Sequence, residues 1–143
     1  MARAFRISEA ATLALHAMGL LATDSSDLFS TRRIAGKLQV SEAHLSKVLQ
    51  RLTRAGLVQP VRGPTGGFGI ARDPEQITLL EVYEAIDGPL DSSTCLLGTP
   101  VCSGEGCILG DLLAKINDAI RDRFSRTRLS DVTAAYGRPK VGT

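Results

Sequence analysis

Between Glu42 and Ala71 the spacing of apolar residues changes from a helical period to an alternating one, and Gly56 stands at the changeover. Leu45, Val48, Leu49 and Leu52 recur three and four residues apart, which puts them on one face of a helix. Ser41 is the expected N-cap of that helix, Glu42 to Ala55, and Gly56 stands where a left-handed C-terminal residue is wanted. Beyond it, Leu57-Val58-Gln59-Pro60-Val61 is strand-like, Arg62-Gly63-Pro64-Thr65-Gly66-Gly67 is a turn, and Phe68-Gly69-Ile70-Ala71 alternates again. Two short strands joined by a Gly/Pro turn make a hairpin. Upstream, Ser30 caps a shorter helix, Thr31 to Leu38, with Ile34, Ala35 and Leu38 inward, and Gln39-Val40 separates it from the next.

Helix, short turn, helix, hairpin is the order of a winged helix-turn-helix. Around it the pattern predicts an N-terminal helix over Ile7 to Ala22 and a helix over Leu79 to Ile86, capped by Thr78 and closed by Asp87-Gly88. From Pro89 to Gly106 the chain is rich in Gly, Pro, Ser and Thr and reads as a loop. A long helix is expected from about Ile108 to Phe124, with Leu109, Leu113, Ile116, Ile120 and Phe124 on one stripe. A short helix near Leu129 to Ala135 and a frayed tail from Gly137 complete a mainly α fold with one small β-hairpin wing.

A net charge of +2 over 143 residues becomes informative when it is divided along the chain. Between Ser30 and Asp73, Arg32, Arg33, Lys37, Lys47, Arg51, Arg54, Arg62 and Arg72 face only Glu42 and Asp73, so that stretch carries +6 between mildly acidic ends. A basic middle is the footprint of a face that meets phosphate. With the leucines of the second helix inward, Ala43, Ser46, Lys47, Gln50 and Arg54 lie on the opposite face. Gln, Lys and Arg are residues that reach base edges in the major groove, while His44 and Arg51 flank them at phosphate height. A solvated amphipathic helix would look similar. The Gly-rich tip bearing Arg62 argues against that, because Gly63, Thr65 and Gly66 let backbone amides approach the sugar-phosphate edge. Arg32, Arg33 and Ser41, at the starts of the two helices, complete the expected DNA-binding set.

No apolar run approaches the roughly 18 residues of a membrane span. Arg3 and Arg6 before Ala10–Ala22 imitate the start of a signal peptide, but Asp24 and Asp27 follow where a cleavage site would be. The expectation is a cytoplasmic protein without a membrane partner. An enzyme with a cysteine nucleophile and His16 or His44 as base is disfavoured, since His44 belongs to the basic face and His16 has no Gly-rich loop near it in sequence.

Leu52-Thr53-Arg54-Ala55-Gly56-Leu57-Val58, the turn Val61-Arg62-Gly63-Pro64-Thr65-Gly66-Gly67-Phe68, and Ile77-Thr78-Leu79-Leu80-Glu81-Val82 together resemble the Rrf-two family of winged-helix transcriptional regulators (IscR-, NsrR- and CymR-like). Arg6-Ile7-Ser8 and the stripe Leu13 to Met18 fit that family's first helix, so the resemblance spans about residues 5–135. It implies a homodimeric repressor or activator on double-stranded DNA, with the helix from Ile108 pairing the subunits and two wings straddling a palindromic operator. The implied organisation is a DNA-binding domain over 1–88, a cysteine loop over 89–107, and a dimerisation helix and tail over 108–143. The length of the apolar stripe points to the same twofold seam.

The three cysteines, Cys95-x6-Cys102-x4-Cys107, fall in one 13-residue window. An odd number in a chain read as cytoplasmic argues for metal or redox chemistry over a disulfide framework. Three thiolates on Gly-bearing stretches can fold round one iron–sulfur cluster, 2Fe–2S or 4Fe–4S, each filling one coordination position on iron. Their place matches that of the clustered cysteines in the family, which implies a fourth ligand. Three residues after the last cysteine, where some relatives carry it, stands Gly110, and the first-helix position used by others aligns with Thr12. His16, one turn on, is the preferred fourth ligand, with Glu9, Glu105 and Asp111 as alternatives; a histidine satisfied within the core is the competing reading. Zinc fits less well, because its structural sites favour Cys-x2–4-Cys pairs. A cluster-free thiol/disulfide switch is the second functional reading.

Overall fold

The computed structural model describes residues 6–24, 26–90, 95, 97, 101–103, 105, 107–109 and 111–137. The elements run α1 (Glu9–Leu21), α2 (Thr31–Leu38), α3 (Glu42–Arg54), β1 (Val58–Val61), β2 (Gly67–Ile70), a 3-10 turn (Pro74–Gln76), α4 (Leu79–Asp87), α5 (Leu112–Arg126), α6 (Leu129–Val132) and α7 (Ala134–Gly137). Among the described residues the protein is mainly helical with one two-stranded antiparallel sheet.

Helix starts follow local chemistry. The hydroxyls of Ser8, Ser30, Ser41 and Thr78 accept from the backbone N–H of Ala11, Arg33, His44 and Glu81 respectively, answering donors that a first turn leaves orphaned. Ser8 was not anticipated as a cap, although the acidic Glu9 beside it was a visible cue. Gln39, at φ 56°, closes α2 in the left-handed region, and the Val40 N–H reaches back 3.0 Å to the Ala35 carbonyl. That tight corner sets α2 and α3 as a helix-turn-helix.

The core joins α1 through Ala14, Ala17 and Met18, α2 through Ile34, α3 through Leu45, Val48, Leu49 and Leu52, and α4 through Val82 and Ile86. All four leucine-stripe positions expected inward on α3 are buried. Truncating one of its leucines to alanine costs about 2–5 kcal/mol by loss of burial and residual cavity. The C-terminal elements return to this core. Leu129 is fully buried, its N–H donates to the Ile77 carbonyl at 2.9 Å, and the Leu79 N–H donates to Thr127 at 3.0 Å.

The last long helix departs from expectation at its start. It begins at Leu112 and not near Ile108, and a turn bond from Leu112 N–H to Leu109 carbonyl precedes it. Glycine at position 110 weakens helix formation there by about 1 kcal/mol relative to alanine. Its stripe is divided as well. Leu113 is buried and Ile120 and Phe124 pack on the chain's own core, with Phe124 meeting Tyr83 edge-on at 5.9 Å. Much of the surface expected to serve a partner therefore covers the same chain, while Leu112 remains 49% exposed.

Candidate nucleic-acid interface and cysteine loop

α3 turns the residues expected to read DNA outward. Ala43, Lys47, Gln50 and Arg54 are exposed and Ser46 is half-buried. Among the described residues the side chains of Arg32, Lys47, Gln50, Arg54 and Arg62 are in no ion pair or hydrogen bond, so their polar ends are available to a ligand. Ser41 serves its own helix, with its hydroxyl 3.1 Å from the His44 N–H. The His44 ring lies 3.8 Å from the Glu9 carboxylate at the head of α1.

Two arginines expected at the DNA face are engaged elsewhere. Arg33 donates to Asp27 at 3.1 Å and lies 4.2 Å above the Phe29 ring, holding the loop between α1 and α2. Arg51 donates from Nη2 to the Ile86 carbonyl at the end of α4. Both partners are distant or irregular in sequence, and residue type alone favoured phosphate for both arginines.

The hairpin pairs Val58 with Ile70, Gln59 with Gly69, Pro60 with Phe68 and Val61 with Gly67, leaving Arg62 to Gly66 as a tip that is exposed from Arg62 to Thr65 and half-buried at Gly66. A third segment joins it: Phe29 and Phe68 exchange backbone bonds of 3.0 and 2.8 Å, tying the wing to the residue before the α2 cap. The sequence suggests that Gly63 and Gly66 open the tip to the sugar-phosphate edge. The structure gives two of the turn's glycines internal work. A Cβ at Gly66 would stand 2.1 Å from the Val61 carbonyl oxygen, and one at Gly67 would stand 2.7 Å from the Phe29 carbonyl group. Gly63, at φ +120°, is the turn glycine whose backbone conformation itself excludes a side chain.

The loop that follows α4 is anchored at its entrance: the Leu90 N–H donates to Glu84 at 3.0 Å and its carbonyl accepts from Arg121 of α5 at 3.2 Å. Cys95 and Cys107 are half-buried and Cys102 is exposed. Among the described residues no three of His, Cys, Asp and Glu stand together in a group able to hold a metal ion. Residues 91–94, 96, 98–100, 104, 106 and 110 of the expected loop and its flank lie outside the described set.

His16 is exposed on α1, which removes the reading of a core histidine. Its Nδ1 lies 2.7 Å from the Thr12 carbonyl, which can only accept, so Nδ1 is the donor and Nε2 is the nitrogen left to a ligand. Tyr136 of α7 meets the ring edge-on at 6.4 Å, and burial pushes the Tyr136 phenol above its ordinary range. Glu105 and Asp111, the alternative ligands within the loop and its flank, are exposed, and Asp111 is paired with Lys115 at 3.0 Å.

Comparison with known proteins gives the arrangement its context. The family model Rrf2, described as an iron-dependent transcriptional regulator, matches residues 7–135. A protein of Aquifex aeolicus assigned as an HTH-type transcriptional regulator is 30% identical, over 87% of this chain and 89% of its own. The HTH-type transcriptional regulator IscR of Cereibacter sphaeroides is 28% identical over 90% of this chain and 85% of its own. The solved structure of CymR, the global cysteine regulator of Bacillus subtilis, superposes with a TM-score of 0.76 at 26% identity, covering 92% of this chain and 98% of that one.

Proposed function

The chain belongs to the Rrf2 family of transcriptional regulators, and from that premise we propose that it acts as a homodimer on a palindromic operator under the control of its cysteine loop. As a member it is a DNA-binding regulator with a winged helix-turn-helix, and the relatives are named as regulators and not as enzymes. No helix among the described residues is long and apolar enough to cross a membrane.

The observation that carries the DNA side is the line of outward, unengaged side chains Lys47, Gln50 and Arg54, on a helix whose other face is fully buried, together with the exposed Arg62 of the hairpin tip. Arg62→Ala is expected to weaken binding to every duplex and to flatten the salt slope by about one unit. Gln50→Ala is expected to relax discrimination at one base pair, by about 1–3 kcal/mol, and to leave the slope unchanged. Fluorescence anisotropy on a duplex selected from a random pool, at several salt concentrations, separates the two; variants that both behave as wild type would misplace the interface.

For assembly, α5 offers the exposed Leu112 and the half-buried Ile116, one turn apart. A charge there, Ile116→Lys, is expected to convert a dimer to a monomer in sedimentation equilibrium at micromolar concentration. A monomeric wild type refutes this part of the reading.

For sensing, the donor set is three thiols within 13 residues between α4 and α5, with His16 exposed and its Nδ1 turned to the Thr12 carbonyl. These residues suit an iron–sulfur cluster by chemistry, with Cys95, Cys102 and Cys107 as the thiolate ligands. Such a cluster supplies a centre that responds to oxidants and to iron supply. The second reading, a disulfide switch, is favoured by the exposure of Cys102 and by the absence of a gathered donor group among the described residues. Purification without oxygen followed by iron and sulfide analysis decides between them. A brown protein with stoichiometric iron supports the cluster, and a colourless one with thiols that oxidise reversibly supports the switch.

A further inference from the structure

The C-terminal end of α4 is where three parts of the chain are tied together. Asp87 receives the first helix, accepting from the Ser8 backbone N–H at 3.1 Å and from the Ser8 hydroxyl at 2.5 Å. Ile86, one residue earlier, receives α3 through the guanidinium of Arg51. Glu84 receives the start of the cysteine loop through the Leu90 N–H, and Leu90 in turn holds Arg121 of α5.

The Ile86 carbonyl is among the last four of its helix, which have no partner within the helix, and it lies at the negative end of the helix dipole. A guanidinium there has a strong reason to stay. On α3 that guanidinium belongs to the residue next to Gln50 and one turn from Lys47 and Arg54, the side chains offered to DNA. Cys95 lies five residues beyond Leu90.

We propose that Arg51 is a positioning residue that couples the cysteine loop to the DNA-reading helix, by fixing α3 to the end of α4 and not by touching phosphate. It rests on the reading that the loop senses. A change in the loop that moves Leu90 or the last turn of α4 is carried to the middle of α3 through this bond. The register of Lys47, Gln50 and Arg54 in the groove follows. Coupling of this kind requires two arrangements that the loop states stabilise differently, with Arg51 as the link between them.

The test compares wild type, Arg51→Gln and Arg51→Lys by fluorescence anisotropy. Two probes are used: a duplex that the wild-type protein selects from a random pool, and a scrambled duplex. Each protein is measured as purified without oxygen, after iron chelation, and after alkylation of its thiols with iodoacetamide. Wild-type affinity for the selected duplex is expected to differ at least about fivefold between states, the lower end of ordinary allosteric coupling. Arg51→Gln is expected to compress that ratio below about twofold, with scrambled-duplex affinity and salt slope unchanged. Arg51→Lys, which keeps a donor on a shorter reach, should give an intermediate ratio, and it decides the matter should Arg51→Gln fail to fold.

A variant that keeps the wild-type ratio overturns the proposal. So does one that weakens every state equally and lowers the salt slope by about one unit, which is how a phosphate contact behaves. A wild type that ignores chelation but responds to alkylation sinks the cluster reading and leaves the Arg51 comparison decisive; one that responds to neither overturns both.

Discussion

Gly66→Val is expected to unmake the wing while leaving the helical core standing. The added Cβ would stand 2.1 Å from the Val61 carbonyl oxygen and 3.0 Å from that of Gly63, and both are backbone atoms that no rotamer change can move. Val61 is also the last residue paired in the hairpin, so relief of the clash has to open the Val61–Gly67 pair. Overpacking costs about 1–3 kcal/mol in ordinary cores, and a clash with fixed backbone belongs at the upper end. The disturbance sits at the Arg62 tip, and the atoms it meets are those of the turn itself, Val61, Arg62 and Gly63. DNA affinity should therefore fall by at least about tenfold, a loss of about 1.4 kcal/mol or more. Circular dichroism should meanwhile show the helices retained. Anisotropy and a thermal melt on the same sample check both parts; a variant with wild-type affinity would mean that the tip does not meet DNA.

Cys102→Ala is the second large effect: it is expected to abolish retained iron and sulfide in protein purified without oxygen. With three cysteines in the whole chain, there is no spare thiolate to replace the one removed. His16→Ala is expected to leave a weaker or spectrally altered centre, since a single imidazole lost from a mixed ligand set can be replaced by water or a carboxylate. Both variants should change affinity for the selected duplex in the same direction as chelation does. An unchanged spectrum and unchanged affinity for His16→Ala would move the fourth ligand to Glu9, Glu105 or Asp111. Iron retained by Cys102→Ala at the wild-type level would end the three-cysteine assignment.

The parts of the fold that were legible from residue order are those decided within a few residues. Ser30, Ser41 and Thr78 begin helices because a hydroxyl and an N–H three residues on can meet without help from the rest of the chain. The inward face of α3 followed from spacing alone, because one helix can present Leu45, Val48, Leu49 and Leu52 to a core in only one way. What stayed hidden depends on distant partners. Arg51 looked like its basic neighbours until the end of α4 was in place, 35 residues away. Gly66 looked like an opening for a ligand, but a Cβ there would stand 2.1 Å from the Val61 carbonyl oxygen across the turn. The apolar stripe of α5 was read as a seam between subunits; Leu113 is buried and Ile120 and Phe124 pack half-buried on the chain's own core, and spacing cannot tell a helix's own core from a partner's. The cysteines were visible as a cluster in sequence; their gathering round one centre is a matter of loop conformation, on which spacing is silent.

The return of the last two helices to the first has a consequence for the order in which the protein is made. α1 leaves the ribosome early, yet part of its surface, at Gly19, is covered by Val132 and Tyr136. At about 5–20 residues per second, roughly a hundred residues of synthesis, or about 5–20 seconds, separate that surface from its cover. In the later part of that interval the nascent chain carries a complete helix-turn-helix on a first helix whose Gly19 side is still uncovered. A chain stalled on the ribosome after α5 should therefore be protease-sensitive within α1, and one extended through α7 should not.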